Sequence, residues 1–288
     1  MSTTAMRLIQ AQNKDLGGFQ VRRCLPLKGC KQVGPWVFFD HMGPAQFAAG
    51  QGVDVRPHPH IGLATVTYLL AGEMLHRDSL GTEQLIKPGE INLMVAGRGI
   101  VHSERQRQEV KAAPHSLHGL QLWLALPTEQ EQCPPAFYHY GAAELPLLAE
   151  PGRLIKVLIG QAYGMHSPVK TFTETLYLEV QLAAQQELTL PDAEELALYV
   201  LQGGVKIGDV QVPQHCMAVL TPQQRARLYA EQDSLLVLLG GATLARRYLD
   251  WNFVASDPAL LQQAKQDWQS GRFAKVPGDE EEFIPYPG

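Results

Sequence analysis

Charge is scarce in this chain. Asp, Glu, Lys and Arg make up 18% of its 288 residues, against roughly a quarter in an ordinary globular domain. The 24 basic and 29 acidic side chains leave a net charge of −5 and a pI near 6.1. Sequence-independent nucleic-acid binding needs clustered Lys and Arg, so no direct nucleic-acid contact is expected. Cysteine is also sparse. Cys24, Cys30, Cys133 and Cys216 show no CxxC spacing and are too few for a disulfide scaffold, and they read as reduced thiols of a cytoplasmic protein. No uncharged apolar run reaches the roughly 18 residues of a membrane helix. The opening MSTTAMRLIQAQNKDLGG lacks the basic-then-apolar order of a signal peptide. P-loop, GxSxG and strand-bound GxGxxG patterns are missing, which gives no sign of nucleotide or serine-hydrolase chemistry.

Hydrophobic residues are plentiful, at 45%, enough for a substantial core. They fall in short runs rich in Val, Ile, Thr and Tyr, separated by Gly and Pro. Examples are WVFFD from Trp36, TVTYLL from Thr65, INLMVAG from Ile91, LQLWLALP from Leu120, TLYLEVQL from Thr175, ARLYA from Ala226 and SLLVLLGG from Ser234. Many short strands with frequent turns predict an all-β sandwich or barrel. A weak repeat supports two copies of one β unit: TVTYLLAGEM then EQLIKPGEINLMVAG resembles LALYVLQGGV then GDVQVPQHCMAVLTP. The join falls at Thr128–Tyr140, around Pro134 and Pro135. Near the end, Asp257 can cap a helix that starts at Pro258 and stops at Gly271, with Leu261, Ala264 and Trp268 on one face. The tail GDEEEFIPYPG reads as a solvated charge run followed by an anchor at Phe283 and Ile284.

The chemistry concentrates between Arg56 and Glu104. His58 and His60 open this stretch, and His102 and Glu104 close it. Residues two apart on a strand share a face. Two such pairs on neighbouring strands would aim three imidazoles and a carboxylate at one point, a donor set for a divalent transition metal and unsuited to calcium. Fe, Mn, Co, Ni, Cu and Zn all remain open at this level. Four protein ligands on an octahedral ion would leave two positions free for O2 or a chelating substrate, unlike a closed structural zinc site. His76 and Asp78, again i and i+2, are candidates to orient a ligand or to form a solvated turn. Asp40 and His41 stand before Gly43-Pro44, as a structural turn or at a site entrance. Ser103 should point away from its neighbours' face, and His215 stands alone in the second copy, which is therefore expected to be metal-free.

Gly52, His58, Pro59, His60 and Gly72 match the first cupin motif, and Gly89, Val95, Ala96, Gly97 and His102 resemble the second. Within the cupins, GPWVFFDHMGP from Gly34, RPHPHIGLATVTYLLAGEMLHRDSLG from Arg56, AGRGIVHSE from Ala96 and the closing FIPYPG resemble the pirin family. The usual cupin glutamate is absent at Ala64 or Thr65, and Glu104 stands in for it, as in pirin-like proteins. The resemblance implies two tandem jelly-roll barrels facing each other, with a short C-terminal helix and tail packing back on them. It places a metal-binding cupin domain at 1–130, a degenerate metal-free one at 131–245 and the helix and tail at 246–288. It implies His58, His60, His102 and Glu104 as ligands of one divalent ion, Fe(II) foremost. The implied activity is quercetinase-type, opening a flavonol such as quercetin with O2 and release of CO, with Glu104 as ligand, general base or both. The alternative it implies is an iron-dependent redox sensor that binds a protein partner; a sugar isomerase or other Lewis-acid cupin is a third reading. Two barrels in one chain make a monomer the expected state.

Overall fold

The computed structural model describes residues 6–15, 19–221 and 227–288. Strands dominate, and the described helices are the single turn Gln108–Lys111, the short 3-10 turn Ala142–Glu144 and a C-terminal helix. None of these is long and apolar enough to cross a membrane. The runs rich in Val, Ile and Thr form strands because branched side chains suit a pleated, buried surface.

Eight strands carry the first copy of the repeat: β1 (Trp36–Phe47), β2 (Asp54–His60), β3 (Leu63–Ala71), β4 (Met74–Asp78), β5 (Glu83–Ile86), β6 (Ile91–Val95), β7 (Ile100–Arg105) and β8 (His115–Ala125). Eight carry the second: β9 (Thr175–Leu182), β10 (Glu187–Thr189), β11 (Glu195–Gln202), β12 (Gly204–Ile207), β13 (Val210–Pro213), β14 (Cys216–Leu220), β15 (Arg227–Ala230) and β16 (Ser234–Gly241). Ala226, where the last but one was expected to begin, lies outside the described residues. The weak sequence repeat is a topological one. A four-stranded sheet runs β2-β7-β4-β5 in one copy and β10-β15-β12-β13 in the other. The larger sheets contain the orders β6-β3-β8-β1 and β14-β11-β16-β9. Each strand of the first copy therefore has its counterpart eight labels later.

By contact the chain forms two compact units. One comprises the segment ending at Lys14, Arg22–Phe39 and Ala143–Leu244; the other comprises Asp15–Val21, Asp40–Ala142 and Ala245–Gly288. The units are thus not consecutive in the chain, as 1–130, 131–245 and 246–288 would have them. Hydrogen bonding explains this: the strand Arg7–Gln10 pairs with β14, Arg7 opposite Val219 and Gln10 opposite Cys216. The second copy has an apolar interior in which Leu188, Leu228 and Ala230 are buried beside Leu198, Val200 and Leu238. None of the four cysteines is in a disulfide.

In the other unit, β17 (Tyr248–Asp250) and β18 (Phe253–Ala255) form a hairpin followed by helix α1 (Pro258–Gln269). The Asp257 carboxylate accepts from the Ala259 N–H at 2.9 Å, and Gly271, at φ +67°, donates to Trp268 O. These are the N-cap and the left-handed stop that the sequence predicts. Leu261 and Ala264 pack with Ile61, Phe253 and Ala255. The tail is held through its backbone: Ile284 N–H donates to Pro57 O at 2.8 Å, and Trp268 Nε1 donates to Ile284 O at 3.0 Å. Phe283 touches the Trp268 ring but stays 56% exposed, so Ile284 is the anchor and Phe283 is not buried.

Gly62 joins β2 to β3 at φ +67°, and a Cβ there would lie 1.9 Å from Val254 O. Its N–H donates to Gly97 O, and its carbonyl accepts from Leu126. A left-handed non-glycine residue alone costs roughly 1–3 kcal/mol, and the collision adds to that. Gly62→Ala should therefore lower the denaturant midpoint by at least this equivalent. An unchanged midpoint would mean that the turn is free to relax.

Candidate metal centre

β2 and β7 are antiparallel neighbours, and their register sets the site. His102 lies opposite His58, Val101 opposite Pro59 and Ile100 opposite His60. Alternation sends Pro59 and Val101 to one face and the three histidines to the other. Their ring centroids are 4.3 Å (His58–His102), 5.0 Å (His58–His60) and 5.0 Å (His60–His102) apart. One nitrogen from each ring lies within 4.8 Å of the others. All three side chains are buried.

The ring nitrogens of His58 and His60 are assigned by their partners. His58 Nδ1 donates to Arg56 O at 2.9 Å, and His60 Nδ1 donates to Asn252 O at 3.0 Å. A carbonyl only accepts, so each Nδ1 carries the proton and each Nε2 keeps a bare lone pair. His102 Nε2 is buried with no hydrogen-bond partner. Burial, which penalises the charged ring, lowers the His58 pKa to about 4; His76 nearby lowers it further and the Arg56 carbonyl works against this. Burial likewise holds His60 and His102 well below the usual imidazole range, and the neighbouring histidines add to the effect. Three rings held neutral by burial, with bare Nε2 lone pairs on His58 and His60 and an unpartnered Nε2 on His102, are donors in the state a divalent transition ion requires. The residues fit such a group, and among the described residues no other His, Cys, Asp or Glu set does so.

Glu104 is near this trio without joining it. The donors within 4.8 Å of one another are His58, His60 and His102 alone. The β2–β7 register slips between His102 and Glu104, which pairs with Val55 on β2 and with His76 on β4. Its Oε1 accepts from the Thr67 hydroxyl at 3.3 Å, and Thr67 Oγ1 is also 2.9 Å from Gln121 Oε1. The bulge and the hydroxyl together account for the offset. Burial raises the Glu104 pKa, while His76 and Thr67 pull it back.

β3 and β8 supply the wall. Thr67 faces Gln121 and Thr65 faces Trp123 in register, and the Trp123 ring meets His60 edge-on at 4.9 Å. Phe137 stacks on His76 at 4.5 Å. His76 and Asp78 are buried and bonded to each other rather than solvated. His41 pairs with His118, Nε2 to Nε2 at 2.8 Å, and does not belong to the trio. His215 sits in a turn at φ +61°. Thr67, Gln121, Trp123 and Phe137 escape notice in the sequence. The one signal is Thr-x-Thr inside an otherwise apolar strand, which marks a polar row on a buried face. The Asn252 carbonyl leaves no signal, being backbone 192 residues from His60.

Comparison with known proteins bears on the family and the fold. The sequence profile described as "Pirin" matches residues 18–124, and that of the "Pirin C-terminal cupin domain" matches 177–274. A pirin-like protein of Caulobacter vibrioides is 42% identical over 97% of this chain and 98% of its own. A Pseudomonas aeruginosa protein, named provisionally as a quercetin 2,3-dioxygenase, is 37% identical over 90% of this chain and 82% of its own. The crystal structure of a quercetin 2,3-dioxygenase from Acinetobacter baumannii superposes with a TM-score of 0.90 at 31% identity, covering 98% of this chain and 95% of that one. Paired cupin units, a buried histidine trio in one of them and these matches lead to one conclusion: the chain belongs to the pirin family of the cupin superfamily.

Proposed function

We propose that this protein is a metal-dependent dioxygenase of the quercetinase type, holding one Fe(II) on His58, His60 and His102. Mn, Co, Ni, Cu and Zn suit the same donors. The observation that carries the reading is the buried histidine trio, with bare Nε2 lone pairs on His58 and His60 and His102 Nε2 left unpartnered. Likeness to the Acinetobacter baumannii quercetin 2,3-dioxygenase supports the reaction class. The ion would supply Lewis acidity toward a flavonol 3-hydroxyl and a redox-active centre for O2. The protein's part is positioning and proton transfer. Trp123 and Phe137 offer flat apolar faces for an aromatic substrate. Glu104, its basicity increased by burial, accepts the 3-hydroxyl proton, and Thr67 holds its Oε1 meanwhile. With the proton gone, O2 cleaves the electron-rich heterocycle and CO leaves. Glu104 then serves as base first and as a fourth ligand only if it leaves Thr67. The second cupin copy, with Leu188, Leu228 and Ala230 on the strands equivalent to the histidine-bearing ones, is metal-free in this reading, and the protein works as a monomer in the cytoplasm.

One observation favours a second reading, an iron-dependent redox sensor that binds a protein partner. Arg105, next to Glu104, donates twice to Asp279 of the tail, at 2.7 and 2.8 Å, so a shift of β7 would reach the surface. Partner capture that depends on Fe(III) over Fe(II) would support the sensor.

Metal content and turnover test the enzyme. His58→Ala, His60→Ala and His102→Ala should each lose stoichiometric metal by elemental analysis. Glu104→Gln should keep its metal and lose roughly 10²–10⁴-fold in turnover, read as flavonol absorbance and oxygen uptake. Protein reconstituted with Fe(II), Mn, Co, Ni or Cu and inert toward quercetin in air would remove the dioxygenase reading.

The histidines also make a pH prediction. Unfolded, each takes a proton near 6.5, whereas folded His58 does so only near pH 4, and the other two lower still. Between these values the unfolded chain binds more protons, so stability falls as pH falls. Chelator-treated protein should lose stability from about pH 6.5 to 4, and a flat profile there would mean that the rings are not neutral in the fold.

A further inference from the structure

His58 and His60 are fixed by backbone carbonyls, but His102 is fixed by side chains. Asp78, fully buried on β4, lies directly opposite His102 in the β4–β7 register, and His76 lies opposite Glu104. Asp78 Oδ1 accepts two backbone N–H bonds, from Leu80 at 2.9 Å and Thr82 at 3.1 Å. That leaves Oδ2 for His76 Nε2, at 3.0 Å. The far nitrogen, His76 Nδ1, lies 3.4 Å from His102 Nδ1.

We propose that Asp78 and His76 form a positioning relay that fixes the tautomer of His102 and keeps its Nε2 bare toward the metal. The inference rests on the metal reading above and adds what sets the affinity of that site. Proton placement follows link by link. A carboxylate accepts, so His76 Nε2 carries a proton; a neutral ring then has a bare Nδ1. Across from that bare nitrogen, His102 Nδ1 has to donate. His102 Nε2 is left unprotonated, and it is the buried nitrogen with no partner in the protein. Phe137, stacked on His76, fixes the plane of the intermediate ring. The carboxylate–histidine–metal arrangement common to metal sites is here lengthened by one imidazole.

The relay has a polarity, and polarity can be reversed. In Asp78→Asn the two backbone N–H groups of Leu80 and Thr82 claim the amide oxygen, so the NH2 turns to His76 Nε2. His76 must then accept there and carry its proton on Nδ1. His102 Nδ1 becomes the acceptor and its proton moves to Nε2, where it blocks the metal. His76→Gln preserves the polarity, because its NH2 can donate to Asp78 while its C=O accepts from His102.

The test uses the full chain, chelator-treated and labelled with 15N-histidine. Two-bond 1H–15N spectra at pH 7.5 should show His102 as the Nδ1–H tautomer in the wild type and in His76→Gln, and as the Nε2–H tautomer in Asp78→Asn. Zn(II) affinity, measured by competition with a chromophoric chelator, should fall roughly 10–100-fold in Asp78→Asn and be largely retained in His76→Gln. Wild-type His102 protonated on Nε2, or equal affinity in Asp78→Asn and wild type, would overturn the relay. A merely structural role for the buried pair would weaken both variants together and would also overturn it. If Asp78→Asn does not fold, the wild-type and His76→Gln tautomers still decide. Wild-type protein that takes up no metal while its tautomers are as stated would sink the metal reading alone.

Discussion

The pairing of β2 with β7 is the constraint from which the site follows. It sets His58 against His102 and brings His60 alongside, with their rings 4.3–5.0 Å apart and out of water. Burying three imidazoles that close together is unfavourable for any charged form. The fold answers with a hydrogen bond at every Nδ1, and the Nε2 atoms of His58 and His60 are left without protons. A one-residue slip in this ladder would turn the trio to the opposite face. The bulge that shifts Glu104 falls beyond His102, where it offsets the carboxylate and spares the imidazoles.

Much of this was legible in the sequence, for a simple reason. A strand has a period of two, so His-x-His announces a shared face without any knowledge of tertiary structure, whereas the bulge after His102 interrupts the same rule for Glu104. The C-terminal helix was equally readable, because Asp257, Pro258 and Gly271 are local signals obeying local rules. Other features depend on what lies across a sheet. Thr67 reaches Glu104 only because β3 passes beside it, and no spacing along the chain encodes that. The interleaving of the two units was hidden for the same reason: Arg7–Gln10 looks like any short strand until its partner, β14, is known. Phe283 misled because an aromatic residue in a polar tail reads as an anchor, whereas the backbone of Ile284 does the anchoring.

The two copies show what a shared topology does and does not carry. β2 and β10, and β7 and β15, are counterparts in sheets of the same order. One copy points imidazoles inward from these strands; the other buries Leu188, Leu228 and Ala230. The apolar version satisfies itself by packing alone. The histidine version leaves a buried nitrogen unanswered, and architecture says nothing about which version a strand carries. Site chemistry therefore has to be read from the residues on a given strand.

The carbonyl that steadies His60 belongs to Asn252, a residue synthesised 192 positions after the ring it holds. During translation, both histidine-bearing strands have emerged long before that carbonyl exists. Until Asn252 is in place, the His60 ring lacks the backbone acceptor that orients it. A chain that ended before Asn252 would lack that acceptor, so completion of the His60 cradle waits on a residue far downstream.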